Sequence, residues 1–314
     1  MFLKNKKFDV EHALIIYAHN RVLISISNIY EDHLMEHLKE EISQCHVYMI
    51  GLVPKINIIS IYEKANNIFM KLGYLKKEFT LQYKLPQGKI LHKLLNKEGK
   101  IVWMFKDKEG KLHTPTTDNG TPIDSYKLRE DLSDKTGEIH FDVQYIGQAL
   151  GTLESPRNAL DRLKKHETLQ KILIQGQQYG YELEALLLEV KTDNTLMTAF
   201  NPQAQNSDKS SKRISDGIKK LYGTNEAERI TLFEASLIRY FKPTYNKIFK
   251  NNFPSTNMKT LNDCYHKDIS MICAEINFDS VPYQFKSNSQ LPQRTVMAMH
   301  NLHADEDRKV FFNN

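Results

Sequence analysis

Cysteine is scarce in this chain: three in 314 residues, Cys45, Cys264 and Cys273, an odd and widely spaced set. Such a set does not make a disulfide framework, so a reducing, cytoplasmic setting is expected. Cys264 and His266 stand two apart, but no second Cys/His pair at ligand spacing follows, which argues against a zinc site. No uninterrupted apolar run approaches the roughly 18 residues that a bilayer-spanning helix needs, and no membrane association is expected. The opening MFLKNKKFDVEH is basic but is interrupted by Asp9, Glu11 and His12, so it does not read as a signal peptide. No internal repeat is visible. Nor is there a strong excess of one charge: 43 basic residues face 38 acidic ones, a net +5 that reads as spread through the chain. That balance permits nucleic-acid binding without requiring it.

What is present is the composition of a folded protein, 40% hydrophobic and 26% charged, with length enough for two domains. In the first third, HALIIY, VLISIS, KINIISIY and EFTLQYKL read as strands. EDHLMEHLKEEISQ puts Leu34, Leu38 and Ile42 on one helical face, and EKANNIFMKLG reads as a helix closed by glycine. KIVWMFKDKEGKLHTP reads as a hairpin turning at Lys-Glu-Gly. The polar segment TPTTDNGTPIDS then marks a boundary, giving an α+β domain over residues 1–125. From residue 138 the pattern is strand (EIHFDVQYIGQAL), loop, helix (SPRNALDRLKKHETLQKILIQ), strand (YELEALLLEV), a polar excursion over about 191–228, and a second helix. Ser155 and Pro156 signal the start of the first of these helices. Two or three strands over 261–314 form a β-rich extension.

The second helix poses the chemical question. Glu234 lies among Leu232, Phe233, Ala235, Leu237, Ile238 and Phe241, and a carboxylate in such company needs a partner: an arginine, a hydrogen-bond network or a metal ion. Arg229 or Arg239 would serve as a structural partner. Arg162 and His166, four apart, share a face of the first helix, and the strand before it ends in Tyr145-Ile146-Gly147, where glycine allows close approach. An acid, an arginine, an imidazole and a phenol suit phosphodiester hydrolysis. The acid holds a divalent cation, the arginine neutralises phosphate oxygens, and a phenol or imidazole guides or deprotonates water. One ion on one carboxylate is typical of magnesium, with manganese the usual substitute.

These residues resemble the GIY-YIG nuclease superfamily. Tyr145-Ile146-Gly147 matches the second tripeptide of its name, DRLKKH is similar to its helix with arginine and histidine four apart, and EASLIRYFKPTYN is similar to its metal-binding helix and terminal Pro-x-Tyr-Asn. The resemblance covers about residues 138–250. It implies a small α/β nuclease domain with a mostly antiparallel sheet over 138–260, preceded by the α+β N-terminal domain. It further implies catalytic roles for Tyr145, Arg162, His166, Glu234 and Asn246, with Glu234 as the magnesium ligand and Asn246, twelve residues on, bracing the site. The first tripeptide is not found ahead of Tyr145, where LREDLSDKTGE stands, so Tyr126 is the candidate for the missing phenol. Gln148 stands where a lysine often follows, and GTLESPRN reads as an inserted loop.

Lys165, Lys212, Arg213 and Lys242 are the expected nucleic-acid contacts, DNA ahead of RNA. The expectation is a magnesium-dependent DNA endonuclease, possible roles being restriction, repair or defence against mobile DNA. The alternative is a non-catalytic nucleic-acid-binding or scaffold protein that keeps the fold without the chemistry.

Overall fold

In the computed structural model, which describes residues 6–96, 101–149, 159–165, 167–176, 178–207, 209–276 and 282–311, the run VEHALIIYAHNRVLIS forms one strand, β1 (Val10–Ser25), with a register shift between Ala18 and Arg21. Two short helices follow, α1 (Asp32–His37) and α2 (Lys39–Ser43), parted at Leu38; Met35 and Ile42 are their buried residues. β2 (Val47–Pro54) is buried along its whole length.

The segment expected to be helical after β2 is instead a pair of hairpins. β3 (Asn57–Lys64) turns through Ala65 and Asn66, both at positive φ, into β4 (Asn67–Tyr74), which turns through Leu75 and Lys76 into β5 (Lys77–Lys84). Two consecutive positive-φ residues give the turn that matches strand twist. The burial of β4 alternates, with Ile68, Met70, Leu72 and Tyr74 pointing inward. Period two, not 3.6, was the governing signal. β6 (Ile90–Leu95), β7 (Ile101–Lys106) and β8 (Leu112–His113) make a second three-stranded sheet, and the hairpin expected at Lys-Glu-Gly lies between β7 and β8. LREDLSDKTGE, where the first tripeptide would stand, is largely helical and belongs to α3 (Ser125–Thr136). The Asp124 side chain caps its start by accepting from Lys127 N, and Gly137, at φ 66°, ends it.

β9 (His140–Gln148) carries the Tyr-Ile-Gly motif. α4 (Ala159–Lys164) and α5 (Glu167–Gln175) follow, then β10 (Tyr181–Val190) and β11 (Thr195–Phe200). α6 (Ser210–Gly223), α7 (Glu226–Phe241) and α8 (Lys259–His266) precede β12 (Met271–Ile276), β13 (Gln284–Ser287), β14 (Gln290–Gln293) and β15 (Val296–Asn301). Ser155 and Pro156 lie outside the described residues.

Nine of these strands form one sheet in the order β14-β13-β9-β2-β10-β1-β12-β15, with β11 continuing along β1 beyond β10. β1 pairs with β12 in parallel, as β13 does with β9; the other pairings are antiparallel. This overturns the expected fold class, a small and mostly antiparallel nuclease sheet preceded by a separate α+β domain. β1 and β2, from the first 54 residues, are interior strands of the sheet that also takes in β9, β10 and the C-terminal strands. The expectation failed because β1 read as two short strands and β2 was not read as a strand at all, while their partners lie far along the chain in β9 and β10. α7 covers one face of this sheet, where Leu232, Phe233, Leu237 and Phe241 join Val47, Met49, Phe141 and Ile146 in the larger core. α1, α2, α4 and α5 cover the other, around Tyr48, Ile50, Leu52, Leu163 and Ile172.

The polar excursion is folded into this body. α6 lies on β1 so closely that a Cβ on Gly217 would stand 2.6 Å from His12 Nε2. Arg213, expected to meet phosphates, is buried: its Nη2 bonds Glu11 Oε2 at 2.5 Å, its Nη1 pairs with Asp268, and its Nε donates to Val10 O at 2.6 Å. Arg308 binds the same Glu11 at 2.6 Å, and both guanidinium groups lie over the Phe8 ring. A guanidinium so committed has no donors to offer a phosphate, so Arg213 is withdrawn as a nucleic-acid contact. Lys220 is likewise fully buried between Glu228 and Asp263. Among the described residues no helix is long and apolar enough to cross a membrane.

Candidate active site

Tyr48 stands on β2 directly opposite Gly147 on β9. A Cβ on Gly147 would lie 2.6 Å from both Cζ and Oη of Tyr48, so only glycine lets this ring cross the neighbouring strand. A register shift faces Ile50 and Gly51 with Tyr145 and Val143, leaving Gln144 as the extra residue. Such a bulge re-aims the side chains that follow it. Phe141 and Val143 point to the α7 face, whereas Tyr145 packs with Tyr48 on the α4–α5 face. The two phenol rings lie 6.0 Å apart between centroids, tilted by 40°. The two phenols influence one another's ionisation, and Thr168, at the start of α5, opposes the upward push of burial at Tyr145.

Beyond Asp142, β13 no longer pairs with β9. The turn after α7 takes that edge. Tyr245 N donates to Gln144 O at 3.1 Å, and the Asn246 side chain closes both bonds of Ile146, accepting from its N–H at 2.9 Å and donating to its carbonyl at 2.8 Å. One amide group thus does the work of a neighbouring strand, which leaves no buried backbone group unpaired there. Lys242, at φ 47°, turns the chain out of α7, and Pro243 follows. This is the physical sense of the Lys-Pro-x-Tyr-Asn ending: it fastens the far end of α7 to the Tyr-Ile-Gly strand.

α7 itself begins at Asn225, whose side chain accepts from Glu228 N, and carries Glu234 in its buried stretch. Burial pushes the Glu234 carboxyl up to about 8, opposed by a hydrogen bond from the Gln148 main chain and by the Arg162 charge. The arginines that would make it a structural pair are engaged elsewhere: Arg229 Nη1 donates to Thr224 O at 2.7 Å and Arg239 Nη1 to Lys250 O at 3.1 Å. Arg162 is exposed on α4, and its charge favours the ionised forms of Tyr48 and Tyr145 as well as of Glu234. Burial outweighs it at both phenols, which stay above the ordinary tyrosine value.

All four groups line one cleft of about 550 Å³, together with Gln148, Glu167, Thr168, Lys171, Asn246 and Lys247. Tyr145, Arg162, Glu234 and Asn246 are therefore brought together as expected from their order in the chain. His166 lies outside the described residues. Tyr126 is not in the cleft; it sits on α3 with Arg21 Nη2 3.4 Å from its hydroxyl. The second phenol is Tyr48, within His46-Val47-Tyr48. The signal that could have found it is the buried β run VYMIGLV, which carries a tyrosine near its start as the Tyr145 strand carries one near its end. Thr168 and Lys171 were also missed, although Glu167 and Lys171 share a face of α5. Lys165, Lys212 and Lys242 are exposed, and none of the three lines the cleft.

A larger groove, about 670 Å³, lies between β5 and α3. Its polar groups answer one another: Tyr83 donates to Asp131 at 2.7 Å, and Lys127 bridges Asp131 and Glu130 at 2.9 Å each. It offers less unspent chemistry than the cleft. Among the described residues no three His, Cys, Asp or Glu side chains converge as a metal cage; the carboxylates that line the cleft are Glu234 and Glu167. The donor set fits magnesium, which keeps most of its waters and takes one or two carboxylates beside substrate phosphates. Comparison with protein-family models, with curated proteins and with solved structures finds no match for this chain.

Proposed function

We propose that the cleft hydrolyses phosphodiester bonds in DNA with the help of magnesium. The observation that carries this reading is the convergence of the Glu234 carboxyl, the Arg162 guanidinium and the Tyr48 and Tyr145 hydroxyls on one opening. Glu234 would hold the ion, which when bound supplies Lewis-acid stabilisation of charge on the phosphoryl oxygens. Arg162, exposed at the cleft wall, neutralises the non-bridging oxygens and strengthens as charge develops on them. Tyr145, packed against the Tyr48 ring, places its oxygen to orient an attacking water. Lys171 and Lys247 give the flanking phosphates a basic wall.

The resemblance to the GIY-YIG superfamily supports the same reading at the level of the site. Its weakest point was the absent first tyrosine, which had favoured a fold retained for binding alone. Tyr48, facing Gly147 across the strand pair, offers a phenol in its place. The site-level likeness therefore favours catalysis over a scaffold role.

The test is plasmid nicking by the purified protein with magnesium. Nicking is expected, with losses on the order of a hundredfold or more in Glu234→Ala and Tyr48→Phe, while Tyr126→Phe behaves as the parent. Nicking that survives Glu234→Ala, or a Tyr126→Phe loss equal to that of Tyr48→Phe, would reject the assignment.

A further inference from the structure

The positive charge of this protein is concentrated rather than dispersed. Residues 55–113, which hold the two small sheets, contain thirteen lysines, no arginine and five acids, a net +8. The rest of the chain holds 30 basic and 33 acidic residues, a net −3. The same stretch carries eight of the seventeen exposed large apolar side chains among the described residues, in less than a fifth of the length. Basic charge interleaved with exposed apolar and aromatic groups on sheets is the pattern of a nucleic-acid surface.

The β3–β4–β5 sheet arranges these groups in order. Tyr62 and Phe69 are cross-strand partners, stacked at 5.2 Å between centroids and 11° from parallel, and Tyr62 is 48% exposed. Two residues along, on the same face, Asn67 is flanked by Lys64 and Lys84, both exposed. On the other side of the aromatic pair Lys71 meets Glu78 at 2.6 Å and is already neutralised. Two residues of strand are about 7 Å, so bases laid on the rings bring their own phosphates within reach of the Lys64 and Lys84 ammonium groups.

We propose that this face is a stacking platform for an unpaired stretch of nucleic acid. Unpaired bases offer their flat faces to aromatic rings, whereas a duplex keeps those faces stacked inside and shows only edges and backbone. A membrane-surface role would call for an amphipathic helix with a continuous apolar stripe, which this sheet is not. β3 follows β2 after only Lys55 and Ile56, so the strand that bears Tyr48 leads directly into the platform sheet. The platform stands apart from the hydrolysis proposed above, because it binds whether or not the cleft cuts.

The test measures binding by the full chain, without magnesium, of a fluorescent single-stranded DNA of about 30 nucleotides, a length that spans several platform sites. Tyr62→Ala is expected to weaken binding about tenfold, and Tyr62→Phe to keep it. Lys64→Glu with Lys84→Glu should lower the slope of log affinity against log salt by about 1.4, two phosphate contacts on a single strand. Lys212→Glu with Lys219→Glu, on α6, should leave the slope unchanged. Thermal unfolding identical to the parent qualifies each variant, and Tyr62→Phe keeps the test open should Tyr62→Ala unfold. Equal binding by all variants, equal loss in the α6 control, matched duplex bound as tightly with the same Tyr62 dependence, or displacement by acidic vesicles would each overturn the platform. A protein that never nicks yet loses oligonucleotide binding in the platform variants sinks only the hydrolase reading.

Discussion

Replacing Glu234 by glutamine removes a titration without removing the shape, and its consequences follow from the burial of that side chain. The carboxyl is raised from the ordinary 4.5 to about 8 in the folded protein. At about 1.4 kcal/mol per pH unit, the difference is on the order of 5 kcal/mol as an upper bound. The sign is that of an acid held protonated by folding. Below pH 4.5 both folded and unfolded chains keep the proton, and the favourable contribution is fully present. As pH rises through 4.5 the unfolded chain releases its proton while the folded one retains it, so stability falls steadily until about pH 8, where the folded carboxyl also ionises. Magnesium opposes this loss by binding the ionised form; at a hundred times its dissociation constant it adds about 2.7 kcal/mol. The assay is thermal unfolding from pH 5 to 9, with and without magnesium chloride. The parent should lose several degrees more than Glu234→Gln between pH 5 and 8, and magnesium should restore them above pH 8 in the parent alone. Parallel curves for the two proteins without the ion would refute the protonated, buried carboxyl. An equal magnesium shift in both would refute Glu234 as the ligand.

Two further outcomes follow from close contacts. Gly147→Ala drives a methyl into the Tyr48 ring at 2.6 Å, so a destabilisation of about 1–3 kcal/mol together with lost nicking is expected; unchanged unfolding and unchanged nicking would show that Tyr48 does not lie where described. Arg213→Ala strips Glu11 and Asp268 of a partner and should cost about 3–5 kcal/mol, with oligonucleotide affinity unaltered wherever the variant is folded. A weakened affinity without a fall in unfolding temperature would restore Arg213 to the substrate surface.

The site was more legible in the sequence than the fold. Glu234 announced itself because a carboxyl within an apolar helix violates the usual partition, and Asn246 because Pro-x-Tyr-Asn has no role in continuing a helix. Both signals are local. Tyr48 was hidden because its meaning depends on a strand pairing to Gly147, nearly a hundred positions later. The hairpin around Ala65 and Asn66 was misread for a related reason: the apolar residues of EKANNIFMKLG fit two periods, and packing under the sheet selected one. Arg213 was misassigned because composition marks a basic residue but not the buried Glu11 that neutralises it. Net charge misled in the same way, since the mild +5 concealed a strongly basic module set against a mildly acidic remainder.

The strand pair that bears the two phenols is joined by a connection of 85 residues, from the end of β2 at Pro54 to the start of β9 at His140. A hairpin of about five residues would have sufficed for the same ladder. Four doublings of connection length separate the two, and each adds only about 0.6 kcal/mol of ring-closure entropy, roughly 2.5 kcal/mol in all. The geometry between β2 and β9 is thus nearly indifferent to what is carried in the gap, and whole folded modules can be exchanged there while the opposed tyrosine and glycine stay in register. The burden falls on kinetics instead, for the two strands cannot meet until a long detour has closed.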